Sequence, residues 1–561
     1  MGEVMKEKIF ELMERALLAY SDEHIKRYFE DVKRDGLTEH GFPRLTANIG
    51  ILISHGRRVD LLPVFLEMME LCCKSFPSVK AANDFSVREI LSCIREVEES
   101  GVATASDILR WKGYLAKIDP VSTYNVFATE PTDKVKNWAL FTALSEFFRM
   151  KMGLGGSEEF IDLQLATQVQ WLDENGMYMD GKGDTHHPII YDLVPRGLFS
   201  LLLAAGYRGR YFDEIDAALR CAGLLTLKMQ SPNGEVAFGG RSNQFIHNEP
   251  WMFAIFAYEA RRYAEEGNAS LAGEFRAAMK RALDVTEEWL SREPILHIKN
   301  RFPTETKYGC EGYAYFDKYM ITVASNLYAA YLLYDGEPLK ALPDRKPSVC
   351  MTSEHFHKLF LKAGGYGLEF DLNGDTHYDA SGLGRVHREG APSPICMSAP
   401  CPSEPKYTVD IESQDAVSLC TGAVIDGEIE FATAPETKYE VVSSKEGDVG
   451  ASVSIITHFA SGTDILAEYN VSGDGVDIRV SGEGEVFYML PAFFFDGESY
   501  TDIEAGDVSL SINYRGWVCR YETDGKIIDL GRMAANRNGH YKVFSASGNK
   551  VLNIKIRIIK A

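Results

Sequence analysis

The feature that most constrains this chain is a change in its hydrophobic period, from about 3.6 residues to two, between residues 337 and 350. Before it, apolar residues fall at helical spacing. Trp251, Ala254, Ile255 and Tyr258 share one face behind Pro250. Met320, Val323, Leu327, Ala330 and Tyr331 form another stripe, which stops at Asp335-Gly336 with Pro338 beyond. Similar spacing predicts helices over 4–34, 58–75, 83–99, 135–152, 157–175, 196–205, 211–230 and 269–292. Short connections between so many helices predict hairpins arranged as a toroid, and no fixed-length repeat marks a solenoid. After the change, Leu552, Ile554, Ile556 and Ile558 alternate with Asn553, Lys555 and Arg557. Strand-like runs also occur near 357–363, 415–420, 428–433, 452–459, 464–470, 475–480, 515–522 and 540–546, with Gly-Asp-Asn turns between them. The expected architecture is α+β: a helical toroid over 1–345 carrying the active site, then an antiparallel β-sandwich over 346–561.

At 561 residues the chain is long enough for two such units. A net charge of −22 argues against nucleic acid, whose phosphates need a basic footprint, but not against a small anion held by a few cations in a pocket. The first residues, MGEVMKEKIFELMER, are interrupted by charges and read as no secretory leader, and no stretch approaches the roughly 18 apolar residues of a membrane span. Ten cysteines without a C-x-x-C read as reduced thiols. The expected setting is therefore cytoplasmic, with no membrane partner; self-association is compatible with the sequence.

Polar and aromatic residues crowd four Gly-punctuated segments. The first holds Asp184, His186 and His187, with Tyr191, Asp192 and Arg196 following. The second runs from Gly239 through Arg241, Ser242, Asn243, Gln244, His247, Asn248 and Glu249. The third contains Glu311, Tyr313, Tyr315, Asp317, Lys318 and Tyr319. The fourth opens the β half with His377 and Asp379, then Arg385, His387 and Arg388. Three of the four sit where helices begin, so a toroid would gather them at one rim, with helix N-termini offering N–H groups to an anion. Aromatic faces and fixed polar groups suit a carbohydrate. Each segment alone has a plainer reading as capping or core. His355 and His357 on a strand would face the same way as two ligands of a structural divalent metal, with no third ligand identified by spacing. No other cofactor is expected: no phosphate loop, nucleotide fingerprint or Gly-x-Ser-x-Gly elbow occurs.

With these residues in view, the chain resembles the heparinase II/III-like polysaccharide lyases and their alginate-lyase relatives, which pair an incomplete helical toroid with C-terminal antiparallel sheets. His247-Asn248 ahead of the Trp251 helix is similar to the family's Asn/His segment. Glu311-Gly312-Tyr313-Ala314-Tyr315 is similar to its Glu-then-Tyr segment, with Tyr315 at the matching position, and Asn137-Trp138 looks like a further family feature. Where the family often shows His-x-His-x-Asp, this chain has Thr376-His377-Tyr378-Asp379.

The resemblance implies β-elimination on a uronate-containing oligosaccharide. Asn248, His247 and Arg241 would bind the carboxylate, and Tyr315 would act as base and acid, or His377 as base with Tyr315 as acid. Arg385, His387 or Lys318 would supply the positive field a tyrosine base needs. Two other readings stand beside it. An exo-acting hydrolase of the glucuronidase type would use two carboxylates from Asp184, Asp192, Glu249 and Glu311. A non-catalytic carbohydrate-binding protein would need the aromatic platforms alone. Asn243, Gln244, His186, His187, Tyr191, Arg196, Tyr313 and Arg388 complete the set expected to contact substrate.

Overall fold

The computed structural model describes residues 2–181, 186–340 and 346–561. Among these, the helices are α1 (Gly2–Leu17), α2 (Asp22–Asp35), α3 (Gly41–Ser54), α4 (Leu62–Ser75), α5 (Val87–Ser100), α6 (Ala105–Leu115), α7 (Pro120–Thr123), α8 (Trp138–Lys151), α9 (Glu158–Val169), α10 (Ile189–Ala204), α11 (Phe212–Met229), α12 (Asn248–Glu265), α13 (Ala269–Leu290) and α14 (Phe316–Leu333). No described helix is long and apolar enough to cross a membrane.

The inner helices form a closed ring. In turn α3 packs on α5, α5 on α8, α8 on α10, α10 on α12, α12 on α14, and α14 back on α3. The others lie outside, α13 against α12, α9 against α8, α4 against α3 and α1 against α14. The sequence explains this sorting. Inner α3 is buried around its whole circumference, from Gly41 to Ile53, with polar Arg44, Thr46 and Asn48 among the buried residues. At Gly50 a Cβ would lie 2.4 Å from Cys93 Sγ and Phe65 Cε2, so only glycine lets α3 and its neighbours approach this closely. Outer α2 is buried only along Ile25, Phe29 and Val32.

That difference accounts for where expectation and structure part. Helix α3 lies outside the expected helices; it is buried on every side and has no solvated charged face to mark it. The helix expected over 4–34 is broken at Tyr20, because Ser21 caps α2 by accepting from His24 N at 3.1 Å.

The strands are β1 (Ser348–Met351), β2 (Lys358–Ala363), β3 (Tyr366–Asp371), β4 (Gly382–Arg388), β5 (Thr421–Ile425), β6 (Glu428–Phe431), β7 (Lys438–Glu446), β8 (Gly450–His458), β9 (Asp464–Ser472), β10 (Gly475–Phe495), β11 (Asp502–Ala505), β12 (Ser509–Tyr514), β13 (Trp517–Thr523), β14 (Lys526–Asn536) and β15 (Gly539–Lys560). The first four form one antiparallel sheet and the rest an 11-stranded one, ordered β11-β12-β13-β15-β10-β9-β8-β7, with β14 on β15 and β5 on β10. Long β10 bends at the register shift between Ser481 and Glu485, pairing with β9 before it and with β5 after it. Residues 415–420 make only isolated bridges, at Val417 and Leu419, instead of the expected strand.

The small sheet is a middle layer. Leu359 and Leu361 of β2 join the β core, while Phe360 joins the helical core and Lys358 reaches the toroid's Phe238. Both faces are therefore covered, and β2 is buried along its length. The loops of the β half reach the toroid rim, where the site lies.

Candidate active site

The N-terminal ends of the inner helices open into one cavity of about 580 Å³. His40 and Arg44 come from the start of α3, Phe85 precedes α5, Asn137 and Trp138 start α8, and Ile190 and Tyr191 start α10. His247 and Trp251 start α12, and Lys318, Tyr319 and Thr322 lie in the first turns of α14. Six helix dipoles thus place their positive ends around one space. The side chains reinforce them. Among the described residues the lining cations are Arg44, Lys80 and Lys318, and Glu39, the one carboxylate lining the cavity, caps α3 by accepting from Gly41 N at 2.6 Å and Phe42 N at 3.3 Å. Aromatic faces of Phe85, Trp138, Phe141, Tyr191, Trp251 and Tyr319 supply the walls.

One wall is built by the loop between Phe238 and α12. Ser242 and Gln244 both adopt left-handed backbone, with φ of 59° and 65°, which non-glycine residues take only when neighbours over-determine it. Ser242 N donates to Glu311 Oε1 at 2.6 Å, and Ser242 O accepts from Asn248 Nδ2 at 3.1 Å. Gln244 O accepts from Lys299 N at 2.8 Å. The result is that Ser242 Oγ meets Tyr313 Oη at 2.9 Å in the cavity wall. Beside it Arg241 stacks over Tyr191 at 4.3 Å and pairs with Asp180 at 2.7 Å, and Asp180 also accepts from Asn137 Nδ2 at 2.8 Å.

Burial sets the protonation of these groups. It pushes the His247 imidazole down to about 3, helped by Arg44, His297 and Lys299, so the ring is neutral near pH 7. His40 is lowered by burial and by Arg44 and Lys318. Tyr191, Tyr313 and Tyr319 are all raised, chiefly by burial, and are proton donors rather than bases near pH 7.

The expected site residues divide into three groups. His247, Tyr191 and Tyr313 line the cavity, as do Asn137, Trp138 and Lys318. Arg241, Asn243, Gln244, Asn248 and Glu311 shape its wall from behind; Asn243 Nδ2 donates to Ala237 O and Gln244 Nε2 to Asn243 Oδ1. Asn248 is buried, and its Nδ2 holds Ser242 O, so it buttresses the loop.

The third group lies elsewhere. Tyr315 is exposed at the N-terminal end of α14, its ring 4.5 Å from Lys307 Nζ, and it does not line the cavity. The chain turns at Gly312-Tyr313 and enters α14 with extended backbone at Tyr315, so the two rings are not held on one face. His377 Nδ1 is 3.0 Å from Glu404 O in the β half. Arg196 pairs with Asp192, Glu249 with Lys299 and Arg385 with Glu369, all in the interior, because a buried charge needs a partner. His387 meets Ser231 Oγ at 2.6 Å, and Arg388 donates to Ile558 O. His186 and His187 sit against His357 and His355, with ring centroids 5.6 and 6.0 Å apart, across the two halves. His355 and His357 precede β2 instead of lying on it, and His357 has a φ of 56°. Among the described residues, no group of three His, Cys, Asp or Glu is placed to hold a metal ion. Asp184 lies outside the described residues.

The sequence reading missed His40, Arg44, Lys80, Thr322 and Asn326 in the lining. A signal existed for Arg44: it is the one charged residue between Gly41 and Ser54, where a buried cation must be paired or functional.

No protein-family model matches the chain, and no curated protein matches it in sequence. Among solved structures it is similar to heparan sulfate lyase HepC from Pedobacter heparinus, at 9% identity over 89% of this chain and 76% of that one, with a TM-score of 0.36. Heparinase III is similar over 85% of this chain and 77% of that one, at 8% identity and a TM-score of 0.38. A galactose mutarotase-like protein from Clostridium acetobutylicum is covered completely by 39% of this chain, at 10% identity and a TM-score of 0.23. At these values the likeness carries no argument about chemistry, which rests on the residues of the cavity.

Proposed function

We propose that the protein is an oligosaccharide lyase that cleaves a uronate-containing substrate in this cavity by β-elimination. The observation that carries the reading is the convergence of six helix N-termini with Arg44, Lys80 and Lys318 on one cavity, in a chain of net charge −22. Such a field suits a carboxylate, and the aromatic walls suit sugar faces. A cavity of about 580 Å³ has room for sugar units.

In the reaction the C5–H bond breaks, its electron pair forms the C4–C5 double bond, and the C4–O bond breaks with protonation of the departing oxygen. Arg44, Lys318 and the helix ends would stabilise the enolate that develops at the carboxylate. Tyr313, a protonated phenol held by Ser242, would protonate the leaving oxygen. His247, held neutral near pH 7 by burial, would accept the C5 proton, and an anion bound beside it would raise its basicity. The hydrolase reading has less support, because Asp192, Glu249 and Glu311 are buried in ion pairs and none lines the cavity.

The test is incubation with a panel of uronate oligosaccharides, followed by ultraviolet absorbance and mass spectrometry. A new C4–C5 double bond, lost in Tyr313→Phe and retained in Tyr315→Phe, is the expected result. Loss in Tyr315→Phe alone would return the acid to Tyr315. Cleavage with addition of water and no absorbance would overturn elimination.

A further inference from the structure

The cavity wall is fixed from the other half of the chain. The turn joining β14 to β15 presents Asn536, Arg537 and Asn538 to the toroid rim. Arg537 is buried there and grips Glu311 with both nitrogens, Nη2 to Oε1 at 2.6 Å and Nη1 to Oε2 at 3.0 Å. Its Nη1 also donates to Gly309 O at 2.6 Å, and its guanidinium lies 4.1 Å over the ring of Tyr407. The same Glu311 Oε1 accepts Ser242 N, which carries the left-handed backbone that aims Ser242 Oγ at Tyr313 Oη. Next to Arg537, Asn538 Nδ2 donates to Lys299 O at 2.7 Å and to Gln244 Oε1 at 3.3 Å, supporting the second left-handed residue.

We propose that Arg537 is a positioning residue for the cavity: it orients Glu311, which holds Ser242 in strained backbone so that the Ser242 hydroxyl aligns Tyr313. The inference rests on the β-elimination reading only for its kinetic consequence. A bidentate guanidinium is suited to this task because it fixes the plane of the carboxylate as well as its distance, and the planar fork cannot be replaced by a point charge. The β half is then part of the catalytic apparatus without contributing a group to the reacting atoms. The chain order, helices first and the hairpin turn more than two hundred residues after Glu311, leaves no local signal for the pairing.

The test compares Arg537→Lys, Arg537→Met and the double variant Arg537→Met/Glu311→Leu with the intact chain. Each is followed by crystal structure, melting temperature, and kcat and KM for formation of the double bond. Arg537→Met leaves Glu311 buried without its cation and is expected to melt earlier. The double variant removes that charge, so its melting temperature is expected to return while Ser242 N still lacks its acceptor. In the double variant Ser242 Oγ is expected to leave Tyr313 Oη, with kcat about 100-fold down, the scale of a 1 Å misplacement, and KM changed less than about threefold. Arg537→Lys, which keeps the charge but loses the fork, is expected to melt near the intact chain and to lose about tenfold in kcat. Recovery of kcat along with melting temperature in the double variant would overturn the proposal, as would a Ser242–Tyr313 contact that stays at 2.9 Å there. If the intact chain forms no double bond from any uronate, the crystal structures still decide the positioning, and only the elimination reading falls.

Discussion

Replacing Arg44 by methionine separates the two tasks this residue performs. Arg44 lines the cavity, donates from Nη1 to Thr322 Oγ1 at 2.9 Å and pairs through Nε with Glu89 at 3.2 Å. Both partners of the pair are almost wholly buried, and breaking such a pair outright costs about 3–5 kcal/mol. Glu89 keeps two other partners, Arg88 Nη2 at 3.0 Å and Ser325 Oγ at 2.7 Å, so its charge is left under-compensated rather than alone. The expected loss of stability is therefore smaller, about 2 kcal/mol. In the cavity the change removes one of three cations facing the substrate, for which about 1.4 kcal/mol, or about tenfold in KM, is expected. Urea denaturation at pH 7 measures the first effect and the absorbance of unsaturated product against substrate concentration the second. Adding Glu89→Gln removes that carboxylate but leaves buried Arg88 without its counter-ion, so stability is expected to stay lowered while KM stays raised. An Arg44→Met protein with unchanged KM, or a double variant that recovers both quantities together, would refute the role of Arg44 in reading the anion.

Gly197→Ala would place a Cβ 2.4 Å from Trp251 Cε3 and Cζ3, at the back of a cavity-lining ring; a loss of about 1–3 kcal/mol with a shifted tryptophan emission is expected, and an unchanged emission spectrum would count against this packing. His387, lowered to about 3 by burial and then by Arg385, stays neutral in the folded protein while the unfolded chain takes up a proton below about 6.5. The stability it confers is thus lost as pH falls from about 6.5 towards 3, by at most ~1.4 kcal/mol per unit. The advantage of the intact chain over His387→Gln, from urea denaturation at several pH values, is expected to grow from pH 4 to 6.5 and then level off; a flat difference would show that His387 is not held neutral. The opposite slope is expected for Glu259, raised to about 7 by burial: the margin over Glu259→Gln is lost as pH rises through 7.

The sequence by itself determined the order of the two architectures and most of their elements, because amphipathic helices and half-buried strands print their period in the chain. The stripe from Met320 to Tyr331 and the alternation from Leu552 to Ile558 are both found where the spacing puts them. It also marked the loops that meet at the rim, through glycine beside polar and aromatic residues, and within them it found His247, Tyr191 and Tyr313. What it lacked was the ring. Helix α3 is buried on every side, so no solvated face marks it, and its Arg44 and the preceding His40 reach the cavity because α14 closes back onto α3. The choice between Tyr313 and Tyr315 for the cavity wall depends on how the chain enters α14, which two residues of spacing cannot encode. The charged residues of β4 were equally undecidable. Arg385 and His387 have the composition of a site, yet they face the toroid from a sheet covered on both sides and are consumed by Glu369 and Ser231. Only the tertiary structure sets which charges meet each other and which are left to meet a substrate, because pairing depends on distances across the fold and the chain records only its own order.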